Sequence, residues 1–461
     1  MAVLNKYKAY PEYKDSGVEW LGEIPSSWDM WKLSHAYEAI GSGTTPTSSN
    51  ESLFQGDIPW VTTGELRENV IYDTAKKITA STLQTFSALK MHPAGSVVIA
   101  MYGATIGRLG ILGVDATTNQ ACCVMTKSNI ISNQYLYYWL QTFREDIIRL
   151  SSGGGQPNIN QEKVACLKVS APGWSDQATI VSFLDHETAK IDDLIEKQQQ
   201  LIELLKEKRQ AVISHAVTKG LNPNALMKNS GVEWLGEVPE HWVCTALKHM
   251  ANIIDCKHIT AEFSDTGIPV ASIGEVKNWF VDLSTAKLTN EKYYHALIDG
   301  GRTPVVGDII YSRNATVGEA AIVGDGMPKF AMGQDVCLIK AKEEIIPEFI
   351  LYILKSKVII QQLSLAMIGS TFKRINVDDI RSFSITIPPK DEQVLIVNIL
   401  VEKLDKYDRI ITNAEIVTHY LKERRTALIS AAVTGKIDVR DWVAPDSSEM
   451  ANIEESPEVN A

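Results

Sequence analysis

SGVEWLGEIPSSW, Ser16 to Trp28, returns as SGVEWLGEVPEHW at Ser230 to Trp242, identical at 10 of 13 positions. Far along the chain LKEKRQAVISHAVTKG, Leu205 to Gly220, returns as LKERRTALISAAVTGK at Leu421 to Lys436, identical at 10 of 16. The offsets are 214 (230 − 16) and 216 (421 − 205). Two such matches at nearly one offset make the chain one module written twice. Weaker matches fill the interval in the same order: Ile58–Leu66 with Ile268–Val276, Val98–Gly107 with Ile309–Gly318, Asn119-Gln120 with Gly333-Gln334, and Ile159-Asn160 with Ile375-Asn376. The ends of the module are nearly fixed and its middle has diverged, the pattern of a shared scaffold carrying two specificities.

The first part of each module is strand-rich. Ser96–Met101 and Val164–Val169 mix β-branched residues with nearby turn signals and predict strands. A helix is expected over Asn133–Leu150, with its counterpart over Pro347–Leu363. Together these predict a compact α+β domain with long loops. The last part is different. Ser175 and Asp176 can cap a helix, and no Gly or Pro follows until about Val217. Leu184, Ile191, Leu205 and Val212 recur at seven-residue steps, with Gln198 the polar exception, and Leu194 and Leu201 form a second series. In the second copy Leu400, Tyr407, Ala414, Leu421 and Leu428 match the first series, and Ile410 and Val417 the second. Two apolar heptad positions make a narrow coiled-coil seam, and the natural partner of each helix is the other. A flat face packed on a domain is the alternative for such a stripe. A helix of about 40 residues is roughly 60 Å long.

Composition sets outer bounds. The 461 residues suit two to four domains, and 45% hydrophobic with 22% charged residues is ordinary for a globular chain. The net charge of −11 argues against a protein that coats DNA through Lys and Arg alone. However, Asp441 onward holds six acidic residues and no Lys or Arg, and reads as a disordered acidic tail. The six cysteines form no C-x-x-C pair, and Cys122 and Cys123 sit in an apolar run as core residues. The apolar stretch Val97–Val114 is interrupted by Arg108 and several glycines, so no membrane span is expected. The N-terminus lacks a signal-peptide pattern, which points to a reduced, cytoplasmic chain.

These features resemble the specificity subunits of type I restriction–modification systems. The resemblance covers Tyr13 to Trp442. It rests on SGVEWLGEIP and its repeat, the G-T-T-P loop at Gly43–Pro46 followed by GDIPWVTTGEL, GGGQPNIN at Gly153–Asn160, and the paired ends ISHAVTKG and ISAAVTGK. It implies an α+β fold: two globular target-recognition domains joined by two long helices in an antiparallel coiled coil, related by a pseudo-two-fold internal repeat. The expected boundaries are 1–174 and 221–389 for the two recognition domains, 175–220 and 390–436 for the helices, and 437–461 for the tail. Implied partners are double-stranded DNA, two methyltransferase subunits and two motor-nuclease (restriction) subunits. The chain itself is expected to hold no cofactor; S-adenosylmethionine, ATP and Mg belong to the partners. The second copy departs from the pattern, with Asp255–Ile259 (DCKHI) in place of G-T-T-P and GSTFKRIN in place of GGGQPNIN, so its half-site should differ.

No catalytic motif stands out. A self-contained methyltransferase would need a Gly-rich cofactor loop and, for amino groups, a D/N-P-P-aromatic motif; the nearest match, IPPK at Ile387–Lys390, lacks both the carboxamide and the aromatic ring. There is no phosphate-binding loop, since Gly103–Arg108 fails at the lysine, and no H-E-x-x-H or paired Cys/His set. Base edges are read by short polar side chains and Arg. In the first module these cluster at Thr44, Thr45, Thr47, Ser48 and Ser49; at Thr62 and Thr63; at Tyr102, Thr105 and Arg108; and at Gln156, Asn158 and Asn160. In the second the signal is cationic: Lys257, His258, Arg302, Arg313, Asn314, Thr316, Lys373, Arg374 and, beside them, Asn376. Trp20 and Trp234, kept in both copies, read as packing anchors.

Overall fold

The computed structural model describes residues 7–151, 158–314, 317–367 and 374–444. The chain separates into two compact units, residues 1–197 with 417–461, and residues 198–416. Each holds one module's globular part and half of each long helix.

The repeated sequence makes repeated bonds. Ser16 N–H donates to the Gly22 carbonyl and Leu21 N–H to Val18; Ser230 and Leu235 do the same with Gly236 and Val232. Each turn leads into a strand, Glu23–Pro25 or Glu237–Pro239, and then to a fully buried indole, Trp28 or Trp242. Trp20 and Trp234 are only half-buried. Trp20 stacks edge-on against Trp139 and Phe143, at 5.8 and 5.1 Å between ring centres, so the chief anchors lie eight residues beyond the expected ones.

In the first unit a five-stranded sheet runs Ile40–Ser42, Cys122–Met125, Val97–Ala100, Leu109–Leu112, Asn69–Ile71. In the second unit a four-stranded sheet runs Ala251–Asp255, Val336–Ala341, Ile309–Ser312, Ala320–Ile322. The central strands VVIA and IIYS are buried throughout, as continuous apolar runs covered on both faces should be. Beside each sheet a short strand pairs in parallel with the module's Ile-Pro strand: Thr117–Thr118 with Ile58–Val61, and Ala331–Met332 with Ile268–Ala271.

Three expectations change. The helix over 133–150 is two, Asn133–Thr142 and Arg144–Arg149, because Phe143 leaves the helix to pack on Trp139, 4.5 Å away. Its counterpart is likewise Pro347–Leu354 and Lys357–Ala366, bent by 57°. Val164–Val169 is not one strand. Asn160 accepts the Lys163 N–H at 2.8 Å and starts a helix, Gln161–Cys166, before the strand Lys168–Ala171.

The long helices span Trp174–Lys219 and Lys390–Val433. In each unit they run antiparallel. In the first, Asp192 bonds Arg425 at 2.8 Å while Phe183, earlier on its helix, stacks on Trp442, beyond the end of the other. In the second, Arg209 bonds Asp408 at 2.8 Å, and Gly220 approaches Glu392. The two ion pairs are copies of one another at an offset of 216 (408 − 192 and 425 − 209). Exposed pairs of this kind are worth below about 1 kcal/mol; their value is register, since a slipped helix loses both. The first heptad series is buried at Leu184, Ile191, Leu205, Leu400, Ala414 and Leu428, and half-buried at Val212, Tyr407 and Leu421. The second is not: Leu194, Leu201, Ile410 and Val417 are exposed. The inward positions lie one residue later, at Thr188, Ile195, Ile202, Leu404, Ile411 and Thr418, because the seam alternates steps of four and three from Leu184 rather than three and four.

At the start of each helix sits a glutamine with no exposed surface, Gln177 and Gln393. Gln177 accepts from Ser132 N–H at 2.8 Å and donates to the Ile130 and Pro172 carbonyls at 2.8 and 2.9 Å. Gln393 accepts from Ile346 N–H at 2.9 Å and donates to Glu344 and Pro388 at 3.2 and 3.0 Å. Gln177→Leu would bury an unpaired N–H and unpaired carbonyls, at a cost of about 3 kcal/mol. We expect that loss in chemical denaturation for Gln177→Leu and equally for Gln393→Leu; a loss below about 0.5 kcal/mol, the size of a surface change, would show that these bonds do not hold the helices.

Candidate nucleic-acid interface

In the first unit the edge of the sheet brings four segments together. Gly43 packs where a Cβ would stand 1.8 Å from the Thr118 carbonyl oxygen, so this loop can approach the strand only through glycine. Two residues on, the Thr45 hydroxyl donates to Gln120 Oε1 at 2.5 Å. Tyr102 lies beside Gln120, and burial raises the titration of its hydroxyl. The backbone of Tyr102 bridges to Asn158. Thr45, Gln120 and Asn158 are exposed and Tyr102 is half-buried.

The second unit builds the same frame. Gln334 Nε2 donates to Thr260 Oγ1 at 2.9 Å, and Asn314 donates to Asp335 Oδ1 at 3.1 Å and bridges to Arg374. The backbone bonds correspond one for one. Asn119 N–H donates to Val61 and Gly333 N–H to Ala271; Met101 N–H donates to Ala121 and Arg313 N–H to Asp335; Ile159 N–H donates to Met101 and Ile375 N–H to Arg313. Thr45 therefore matches Thr260, Gln120 matches Gln334, Tyr102 matches Asn314, and Asn158 matches Arg374. The stretch that replaces G-T-T-P is thus His258–Ala261, not Asp255–Ile259. Tyr102 matches Asn314 rather than Arg313 because the second loop carries one residue fewer, nine lying between paired Ile99 and Leu109 and eight between paired Tyr311 and Ala320. A cleft of about 380 Å³ opens beside Thr260, Ser272, Glu275, Gln334 and Asp335.

Several expected readers are spent on structure. Thr62 bonds Glu65, whose carboxylate also accepts the Thr62 N–H at 2.8 Å; Ser272 and Glu275 repeat the turn. The Thr44 carbonyl accepts from Trp60 Nε1 at 3.1 Å. Asn160 and Asn376 are helix N-caps. Thr105 and Arg108 form a turn, joined by an Arg108 N–H bond to the Thr105 carbonyl, and are half-buried; Thr63 is half-buried and Thr47 exposed. Arg313, expected to touch DNA, is 3% exposed and lies 2.7 Å from Asp255 Oδ1. Arg302 spends its guanidinium on the carbonyls of Asp255 and Asp299, at 2.7 and 2.6 Å. Lys257 pairs with Asp299 at 2.5 Å, while His258 is largely exposed. Gln156, Thr316 and Lys373 lie outside the described residues. Sequence reasoning passed over Gln120 and Gln334 as readers, although their pairing across the repeat was in view.

Asp255, Cys256 and His258 bring three metal-ligating groups within 4.8 Å. The chemistry does not favour a cation there. Arg313 already neutralises Asp255 and lies 3.5 Å from Cys256 Sγ. The thiol donates to the Gln334 carbonyl at 2.8 Å, and burial, then Asp255, pushes its pKa up to about 11. The cluster reads as a pin that holds the Gln334 turn.

The model of the type I restriction modification DNA specificity domain matches residues 25–204 and again 239–417. The chain is similar to the type I restriction enzyme MjaVIII specificity subunit of Methanocaldococcus jannaschii, 22% identical over 91% of this chain and 95% of that one. It is also similar to the EcoKI specificity subunit of Escherichia coli K12, 22% identical over 84% of each. A chain in a solved structure of the type I R-M system shares the fold with a TM-score of 0.70 at 15% identity, covering 90% of this chain and 99% of that one. Arg313 and Arg374 should separate structure from binding. Arg313→Met removes the buried cation beside the one-third-exposed Asp255 carboxylate and should cost about 2 kcal/mol of stability. Arg374→Met should leave stability unchanged, weaken DNA binding, and lower the slope of log affinity against log salt by about one. Equal melting temperatures for Arg313→Met and the parent protein would refute the structural assignment.

Proposed function

The chain belongs to the type I restriction modification DNA specificity family, and we propose that its two modules each read one half of a divided DNA target for a methylating and cleaving assembly. One observation carries this reading. Two loop clusters hang on the same backbone bonds and differ at Tyr102 against Asn314 and Asn158 against Arg374. A scaffold with no reading role has no use for a fixed frame with variable tips. Base contacts are made by such tips, and phosphate contacts by cations such as Arg374.

The helices suit partner subunits. Leu194, Leu201 and Leu204 on the first, and Ile410, Val417 and Tyr420 on the second, are exposed apolar residues at repeat-equivalent positions. An apolar stripe kept in both copies supports two copies of one partner, in line with two methyltransferase subunits, to which two motor-nuclease subunits add. S-adenosylmethionine, ATP and Mg are assigned to those partners. Among the described residues no single helix is long and apolar enough to cross a membrane, and all six cysteines are free, which supports a cytoplasmic setting.

Methylome sequencing of cells carrying the chain with its partner subunits should reveal a two-part motif with an unread spacer. Exchange of residues 28–169 for the matching stretch of a relative should alter one half only; a short continuous motif, or change in both halves, would refute the reading. Leu204→Glu with Tyr420→Glu should leave the melting temperature unchanged, since both side chains are exposed. It should reduce capture of the methyltransferase subunit at least about tenfold, the loss of about 1.4 kcal/mol. Undiminished capture would remove the helices from the docking surface.

A further inference from the structure

Between the two modules most loop residues have changed, but one side-chain pair has not. Thr45 with Gln120, and Thr260 with Gln334, join a loop to a turn at the same place in each sheet. The turns are framed by matching bonds to Val61 and Ala271 on one side and to Met101 and Arg313 on the other. The loops that supply the threonines share nothing else: Gly43, Thr44 and Pro46 stand where His258, Ile259 and Ala261 stand in the second copy. Packing does not explain the pair. Both threonines and Gln120 are exposed and Gln334 is half-exposed, on the rim of the cleft.

We infer that Gln120 and Gln334 are specificity-determining residues, each reading one adenine through the major groove. The hydrogen-bond inventory supports this. In the first module the amide oxygen accepts from Thr45. The amide N–H groups and one lone pair of the oxygen remain for a ligand among the described residues. In the second the amide nitrogen donates once, to Thr260, and again one N–H and the carbonyl oxygen remain. A free N–H beside a free C=O is the complement of adenine N7 and N6–H, and of no other base edge in that groove. The threonine fixes the plane of the amide before DNA arrives, so less side-chain freedom is lost on contact. The neighbours that differ, Tyr102 or Asn314 and Asn158 or Arg374, then set the remaining bases. This inference rests on the reading of the chain as a two-half DNA reader.

The test uses the assembled complex with its partner subunits and duplexes of its own methylated motif, in which adenines are replaced one at a time by 7-deazaadenine, which lacks the N7 acceptor. Wild-type binding should fall about 5- to 150-fold at one adenine in each half-site, the worth of a good bidentate contact. Gln120→Ala should lose that sensitivity in the first half-site and keep it in the second; Gln334→Ala should do the reverse. The retained half serves as the folding control. Wild-type binding indifferent to 7-deazaadenine throughout, or sensitivity that survives in both variants, overturns the assignment while leaving the two-half reading intact. Absence of any sequence preference in the wild-type complex would overturn both.

Discussion

A buried glutamine amide, pinned by three backbone groups, holds each long helix to the globular part that precedes it. Gln177 closes the Ser132 N–H and the carbonyls of Ile130 and Pro172; Gln393 does the same for Ile346, Glu344 and Pro388. Neither amide has exposed surface. A polar group at such a place is costly unless every bond is made, and it therefore specifies a single geometry where an apolar contact would tolerate sliding. The hydroxyl of Tyr135 adds a second tie, to Ser170 and to Val433 at the end of the other helix, at 2.9 and 3.2 Å. Loops can direct a side chain at a base only if the sheet beneath them is held in place, and these bonds fix it to the long helices.

Given that fixed base, the loops are free to change. Their positions depend on main-chain bonds, such as Gly333 N–H to Ala271 and Ile375 N–H to Arg313, whose donors and acceptors every side chain but proline retains. Apart from the shared threonine–glutamine pair, the two modules hold the loop differently. The first uses Gly43 for close approach to Thr118. The second buries Arg313 against Asp255 and Cys256. Divergence in the middle of the module is therefore compatible with an unchanged frame.

How much of this was legible in the sequence depended on how local the deciding contact was. The repeat was legible because its ends share residues that make the same turn, Ser16 to Gly22 and Ser230 to Gly236. The first heptad series was legible because Leu184, Ile191, Leu205 and Val212 keep a seven-residue spacing that continues in the second copy at Leu400, Tyr407, Leu421 and Leu428. The second was not, because Leu194 is followed by Ile195, Leu201 by Ile202 and Ile410 by Ile411, and only packing decides which of two adjacent apolar residues turns inward. In the site, Arg313 looked like a DNA contact until a carboxylate 58 positions earlier (313 − 255) buried it. Thr260 was invisible as the match of Thr45, because equivalence there lies in one hydrogen bond and not in surrounding residues.

The adjacent apolar pairs carry a further meaning. A helix that packs along one seam needs one stripe, and an exposed second stripe of leucine, isoleucine, valine and tyrosine costs solubility without adding to the seam. Here each long helix has both. Ile195 and Ile202 turn inward beside outward Leu194 and Leu201, and Ile411 and Thr418 turn inward beside outward Ile410 and Val417. Drift after a duplication would have no reason to keep both stripes at matching positions, especially where Thr418 has replaced isoleucine in the seam while Val417 stays apolar outside it. On the outward face the apolar character, though not the residue, is kept in all three pairs, Leu194 with Ile410, Leu201 with Val417 and Leu204 with Tyr420. The same helical residues that fix the register of the fold thereby present a second apolar surface in register with it.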